Sequence, residues 1–153
     1  MGSDYLLNTP VKNSLKTPEV HTLFSQVFSE YSVSEESSSL LLFSRMDISG
    51  LLSPMTHTVV RKNQAPVLHM YHFTSDHSLY FKLRSALEMI LTQDDSVYDA
   101  NNFGEYSLYY NDAKNPHTVY LLFYIKGNIF GFEYSKSLHE EIRPLINSLA
   151  EKI

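Results

Sequence analysis

The chain has 153 residues and a formal net charge of −5, with 12 Lys plus Arg against 17 Asp plus Glu; 43% of it is hydrophobic, 13% aromatic, and it has no Cys and no Trp. Collagen-like, disulfide-stapled and Cys-ligated metal domains are excluded. The chain is too short for an eight-unit βα barrel, and no apolar run reaches membrane-spanning length.

The aromatic content is too high for wholesale disorder, so one core of ordinary size is expected. The acidic balance speaks against nucleic acid and anionic membranes, which need clustered Lys and Arg; the densest basic spot is Arg61-Lys62. Met1-Gly2-Ser3 reads as a cloning scar and residues 1–16 as a flexible lead-in, leaving 17–153 as a single domain. On that reading an original N-terminus is missing, which leaves room for a signal peptide or a lipid anchor without establishing either. The Cys-free composition and the missing Asn-x-Ser/Thr sequon fit a bacterial extracytoplasmic setting, periplasmic or at the cell surface, over a cytoplasmic one.

Thr17-Pro18-Glu19 starts a first helix, with Thr as cap and Pro in the first turn. Val20, Phe24, Val27, Phe28 and Tyr31 then share one face, and the helix ends near Ser32. The Ser- and Glu-rich run 32–39 reads as a solvated loop. Leu40–Phe43 is a short buried strand, Ile48–Pro54 a turn region, and His57–Arg61 a weak strand signal. Val67–Phe73 is apolar on both faces and belongs in the middle of a sheet.

Thr74-Ser75-Asp76 supplies caps for a second helix, whose stripe is Leu79, Leu83, Leu87, Ile90 and Leu91. An acidic stretch (Asp94, Asp95, Asp99) and a turn at Asn101–Gly104 lead to a strand at Tyr106–Tyr110. Thr118–Ile125 and Ile129–Tyr134 flank a Gly127-Asn128 hairpin turn. With that loop Phe123 faces Phe132 and Leu121 faces Tyr134, and the inward face is wholly apolar. Ser137–Glu140 matches a capping box for a last helix, with Leu138, Ile142, Leu145, Ile146, Leu149 and Ile153 as its stripe and Pro144 interrupting it.

The chemistry-bearing motifs are few. There is no nucleophile elbow, no phosphate-binding Gly loop and no Ser-x-x-Lys, so no catalytic residue and no cofactor is assigned. His72, Asp76 and His77 converge at a strand-to-helix junction and are the one weak metal candidate. His69 belongs to the opposite face of its strand from His72. The unusual feature is eleven Tyr without Trp, many on strands. The outward hairpin face, Tyr120, Leu122, Tyr124 and Ile129, is too apolar for bare solvent. Together with Tyr109 it forms the candidate binding surface, unless residues 44–66 or a helix cover it.

The expected fold is therefore α+β: a mainly antiparallel sheet of about five strands with three amphipathic helices packed against it in two layers. This order resembles that of roadblock and longin domains and of secretion chaperones, in element order alone. The expected function is a non-catalytic binding domain for a protein partner or a small apolar ligand, the soluble part of an extracytoplasmic protein or lipoprotein. The alternatives are a cytosolic adaptor or secretion-chaperone-like homodimer, and a small His-dependent hydrolase.

Overall fold

Strands with apolar residues on both faces need cover on both sides, and that requirement organises the molecule. A computed structural model describes residues 17–36, 41–43, 46–47, 55–90, 95–99 and 103–153. In chain order the elements are α1 (Thr17–Val27), β1 (Ser32–Glu36), β2 (Leu41–Leu42), β3 (Met46–Asp47), β4 (Thr56–Lys62), β5 (Ala65–Thr74), α2 (His77–Met89), β6 (Ser96–Asp99), β7 (Tyr106–Asn111), β8 (Thr118–Ile125), β9 (Asn128–Ser135) and α3 (His139–Lys152). A 3₁₀ turn at Lys136–Leu138 precedes α3. Seven strands form one sheet in the order β1-β4-β5-β9-β8-β7-β6, all neighbours antiparallel, and β2 and β3 pair separately.

The α+β class and the antiparallel sheet agree with expectation; the strand number and the layering do not. The main sheet has seven strands instead of about five, because β1 (SVSEE) and β6 (SVYD) are its two edges. Neither shows alternating apolar residues, so each reads as loop. Backbone pairing with β4 and β7 makes them strands, and polar side chains suit an edge that must not recruit another chain. The helices occupy both faces, giving three layers instead of two. Val20, Phe24 and Phe28 of the α1 region and Ile142, Ile146 and Leu149 of α3 pack with Leu68, Met70, Leu121, Phe123, Phe130 and Phe132. On the other face Leu79, Tyr80, Leu83 and Leu87 of α2 pack with Tyr71, Phe73, Leu108, Leu122 and Ile129. Strand β8 feeds both clusters through alternate side chains.

The β8–β9 hairpin forms, with its loop one residue earlier than expected. Ile125 pairs with Asn128, so Lys126-Gly127 is the two-residue turn, with φ of 47° and 81°. Positive φ at both central residues is the type I′ geometry, and Gly supplies its second position without strain. Phe123 consequently faces Phe130, and Leu121 faces Phe132. Moving one residue into the loop at one end and one into the strand at the other preserves every side chain's face. Asn128 is buried: its Nδ2 donates to the carbonyls of Ile125 (3.2 Å) and Lys126 (3.1 Å). A second I′-like turn, Asn63-Gln64 with φ of 53° and 68°, joins β4 to β5. Gly104, at φ 58°, lies so close to β8 that an added Cβ would stand 2.5 Å from the Tyr124 carbonyl oxygen.

The capping box at Ser137–Glu140 is not made. The 3₁₀ turn intervenes, Ser137 Oγ instead meets Ser135 Oγ at 2.9 Å, and neither the turn nor α3 has a side-chain cap. Pro144 lies within a continuous α3, in its second turn. No helix among the described residues is long and apolar enough to cross a membrane. The lead-in 1–16, the Ile48–Pro54 turn and Asn101-Asn102 fall outside the described residues.

Candidate functional site

The expected recognition face is covered. Tyr120, Leu122, Tyr124 and Ile129 are 4%, 0%, 7% and 0% exposed. Helix α2 lies on them, joined by Phe43 and Met55, so this face is a second core layer instead of an open surface. The residue pattern is the one expected. Alternation along a strand groups side chains by face, and only the path of the chain through α2 decides which face is roofed.

The metal candidate also separates. His72 shares its face with Leu68 and Met70, packs on Phe130 (ring centroids 4.8 Å) and bonds through Nε2 to Asn128 Oδ1 at 3.0 Å. Burial pushes its pKa down to about 4, the Asn128 bond opposing. His77 lies on the other side of the sheet, against Phe81 and Tyr124. Asp76 is the N-cap of α2, accepting from Ser78 N at 3.1 Å. Among the described residues no group of three or more His, Cys, Asp or Glu could hold a metal ion. An imidazole pair does form elsewhere: His57 Nε2 meets His69 Nδ1 at 3.0 Å, with His57 stacked on Tyr71.

Tyr109 leads to a different place. It faces Tyr98 across the β6–β7 ladder, ring centroids 5.6 Å apart, on the side of the sheet that carries α3. Beside the start of α3 a cavity of about 340 Å³ opens, lined by Tyr98, Tyr109, Tyr110, Asn111, Thr118, Val119, Tyr120, Lys136, His139 and Arg143. That volume lies at the lower end of the range for small-molecule sites. Of the residues expected to bind, Tyr109 lines this cavity and Tyr120 borders it with its ring in the α2 layer; Leu122, Tyr124 and Ile129 do not reach it.

The wall opposite the strands comes from the start of α3. His139 and Arg143 are one helical turn apart and so share a face. His139 is fixed by its neighbours: its Nδ1 meets Tyr134 OH at 2.8 Å, its ring stacks on Tyr134 (5.9 Å, 6°), and Tyr109 meets it edge-on at 6.2 Å. Burial, then the Arg143 charge and the smaller effect of Lys136, hold His139 below the ordinary imidazole pKa, with Glu140 opposing. The ring is therefore neutral at pH 7, and with Nδ1 engaged Nε2 is left for a ligand. Burial raises the Tyr109 and Tyr134 phenols above their usual value, with Arg143 opposing in both, so both stay protonated donors. Tyr110 and Tyr120 touch at 5.6 Å, and Tyr110 OH lies 3.4 Å from Asp95 Oδ2. Among the described residues the arrangement offers aromatic faces, neutral hydroxyl donors and two cations, without a nucleophile set against a base.

Sequence reasoning missed Tyr98, Lys136, His139 and Arg143. The available signal was the i, i+4 spacing of His139 and Arg143 on the polar side of α3; what joins them to Tyr109 is tertiary packing. No protein-family model and no curated protein matches the chain. Among solved structures the chain is similar to a GTP binding regulator from Thermotoga maritima, at 17% identity and a TM-score of 0.49, over 86% of this chain and 88% of that one. No residue role is carried over from it.

Proposed function

We propose that the chain is a non-catalytic binding domain whose ligand enters the tyrosine-lined cavity beside the start of α3. One observation carries the reading: Tyr98 and Tyr109, side by side on β6 and β7, and His139 and Arg143 of α3 line a single cavity of about 340 Å³. Tyrosine gives large, rigid contact area with a polar tip, the combination that recognition sites favour. Tyr98 is 48% exposed and stands ready to be covered. Catalysis has less behind it. His72 is enclosed and held by Asn128, Asp76 is occupied as a helix cap, and His139 is held by Tyr134 with no Ser, Cys, Asp or Glu among the described residues that line the cavity.

A thermal-shift screen of small molecules against the full chain tests this. Hits are expected to raise the melting temperature of the wild type and to lose that shift in Tyr98→Ala. Hits that stabilise both proteins equally, or a screen without hits, would overturn the assignment.

A further inference from the structure

The proposed site has a charge that the rest of the chain does not. The molecule carries a net −5, yet among the described residues the cavity lining contains Lys136 and Arg143 and no Asp or Glu. Elsewhere Arg84 pairs with Asp99 and Glu88 and Lys62 with Glu141, while Arg61 bonds Ser34 Oγ and Lys126 the Ile153 carbonyl; Lys82, Lys114 and Lys152 stand in solvent. Among the described residues, the side chains of Arg143 and Lys136 have no hydrogen-bond or ion-pair partner. The Arg143 charge is nevertheless felt inside the site, since it acts on Tyr109, Tyr134 and His139 alike. Tyrosine rings alone would welcome a cation over their faces. Two uncompensated cations at the same cavity repel one, and they favour a negative group that accepts hydrogen bonds.

Resting on the reading of the cavity as a binding site, we propose that it takes a small, flat organic anion. The charged group meets Arg143 and Lys136, with His139 Nε2 within the same wall, and the flat body lies against Tyr98 and Tyr109. The size of the cavity fits a molecule of one or two rings and excludes a folded partner surface.

Three probes on the full chain separate the parts: benzoate, its neutral isostere benzamide, and inorganic phosphate, each titrated by NMR at constant ionic strength. Benzoate is expected to bind about tenfold tighter than benzamide, the contribution of one charge-assisted hydrogen bond. In Arg143→Gln that preference should disappear while benzamide binding persists. In Tyr98→Ala both should weaken, and because Tyr98 is half exposed the fold should survive that change. Equal binding of benzoate and benzamide, both lost in Tyr98→Ala, overturns the anion and leaves the cavity as a site. Phosphate binding as tightly as benzoate overturns the flat body. No binding of any probe, or binding indifferent to Tyr98→Ala, overturns the proposal and the site together.

Discussion

The two faces of the sheet are built from different aromatic residues. Under α1 and α3 lie Phe24, Phe28, Phe103, Phe123, Phe130 and Phe132, with Tyr134 the one buried tyrosine of that cluster. Under α2 lie Tyr71, Tyr80, Tyr110, Tyr120 and Tyr124, with Phe43 and Phe73. The phenylalanine rings stack on one another, Phe123 at 5.1 Å from Phe130 and 5.7 Å from Phe132, and demand nothing but contact. Each buried tyrosine also needs a place for its hydroxyl, so tyrosines suit a layer whose polar tips reach its margin. The comparison teaches that tyrosine on a strand does not by itself mark a surface. The face with most tyrosines is roofed, and the open cavity lies at the margin of the phenylalanine layer.

Leu122→Asp should break this comparison most severely. It sets a carboxylate in the sealed α2 layer, where an unpaired charge costs several kcal/mol, so loss of the folded circular dichroism spectrum is expected. A folded Leu122→Asp protein would show that α2 does not seal this face. Phe123→Ala on the other face should cost about 3–5 kcal/mol in chemical denaturation, as buried aromatic truncations do.

The phenylalanine side also holds an ionisable group, His72. Unfolded, its imidazole protonates near pH 6.5; folded, near 4. Between those values the unfolded state binds the extra proton, so its contribution is complete above the upper value and is lost as the pH falls through the lower one. Urea unfolding at about pH 7.5 and about pH 4.5 should differ by on the order of 3 kcal/mol from this group, and His72→Gln should flatten that difference. The smallest effect is expected from Tyr110→Phe on the tyrosine side. It removes the 3.4 Å contact to Asp95 and should cost about 1 kcal/mol or less, read from the urea midpoint.

Much of the fold was legible because its signals are local. Val20, Phe24 and Phe28 announce α1 by spacing, Asp76 caps α2, and Gly127 marks the hairpin. What was illegible depends on partners distant in sequence. Ser32–Glu36 becomes a strand only by pairing with β4, and Asn63-Gln64 turns the chain without the Gly that usually signals such a bend. Asn128 looked like a turn residue because Asn favours turns; its amide is instead spent inside, on Ile125, Lys126 and His72. Of the site, the residue type was legible and the place was not. Tyr109 reaches the cavity, but its cations come from α3 and the turn before it, whose docking no spacing rule reports.

The Lys126-Gly127 bend carries a consequence for how the chain assembles. It joins β8 to β9, which lie in the middle of the seven strands with β7 and β5 on either flank. Chain neighbours thus make the central pairing, and little loop-closure entropy opposes it. Assembly is expected to start there and spread outward, reaching β1 and β6 last. Replacing Gly127 by Val should therefore slow refolding in stopped-flow experiments, whereas Val33→Ala at the rim should act on the unfolding rate alone.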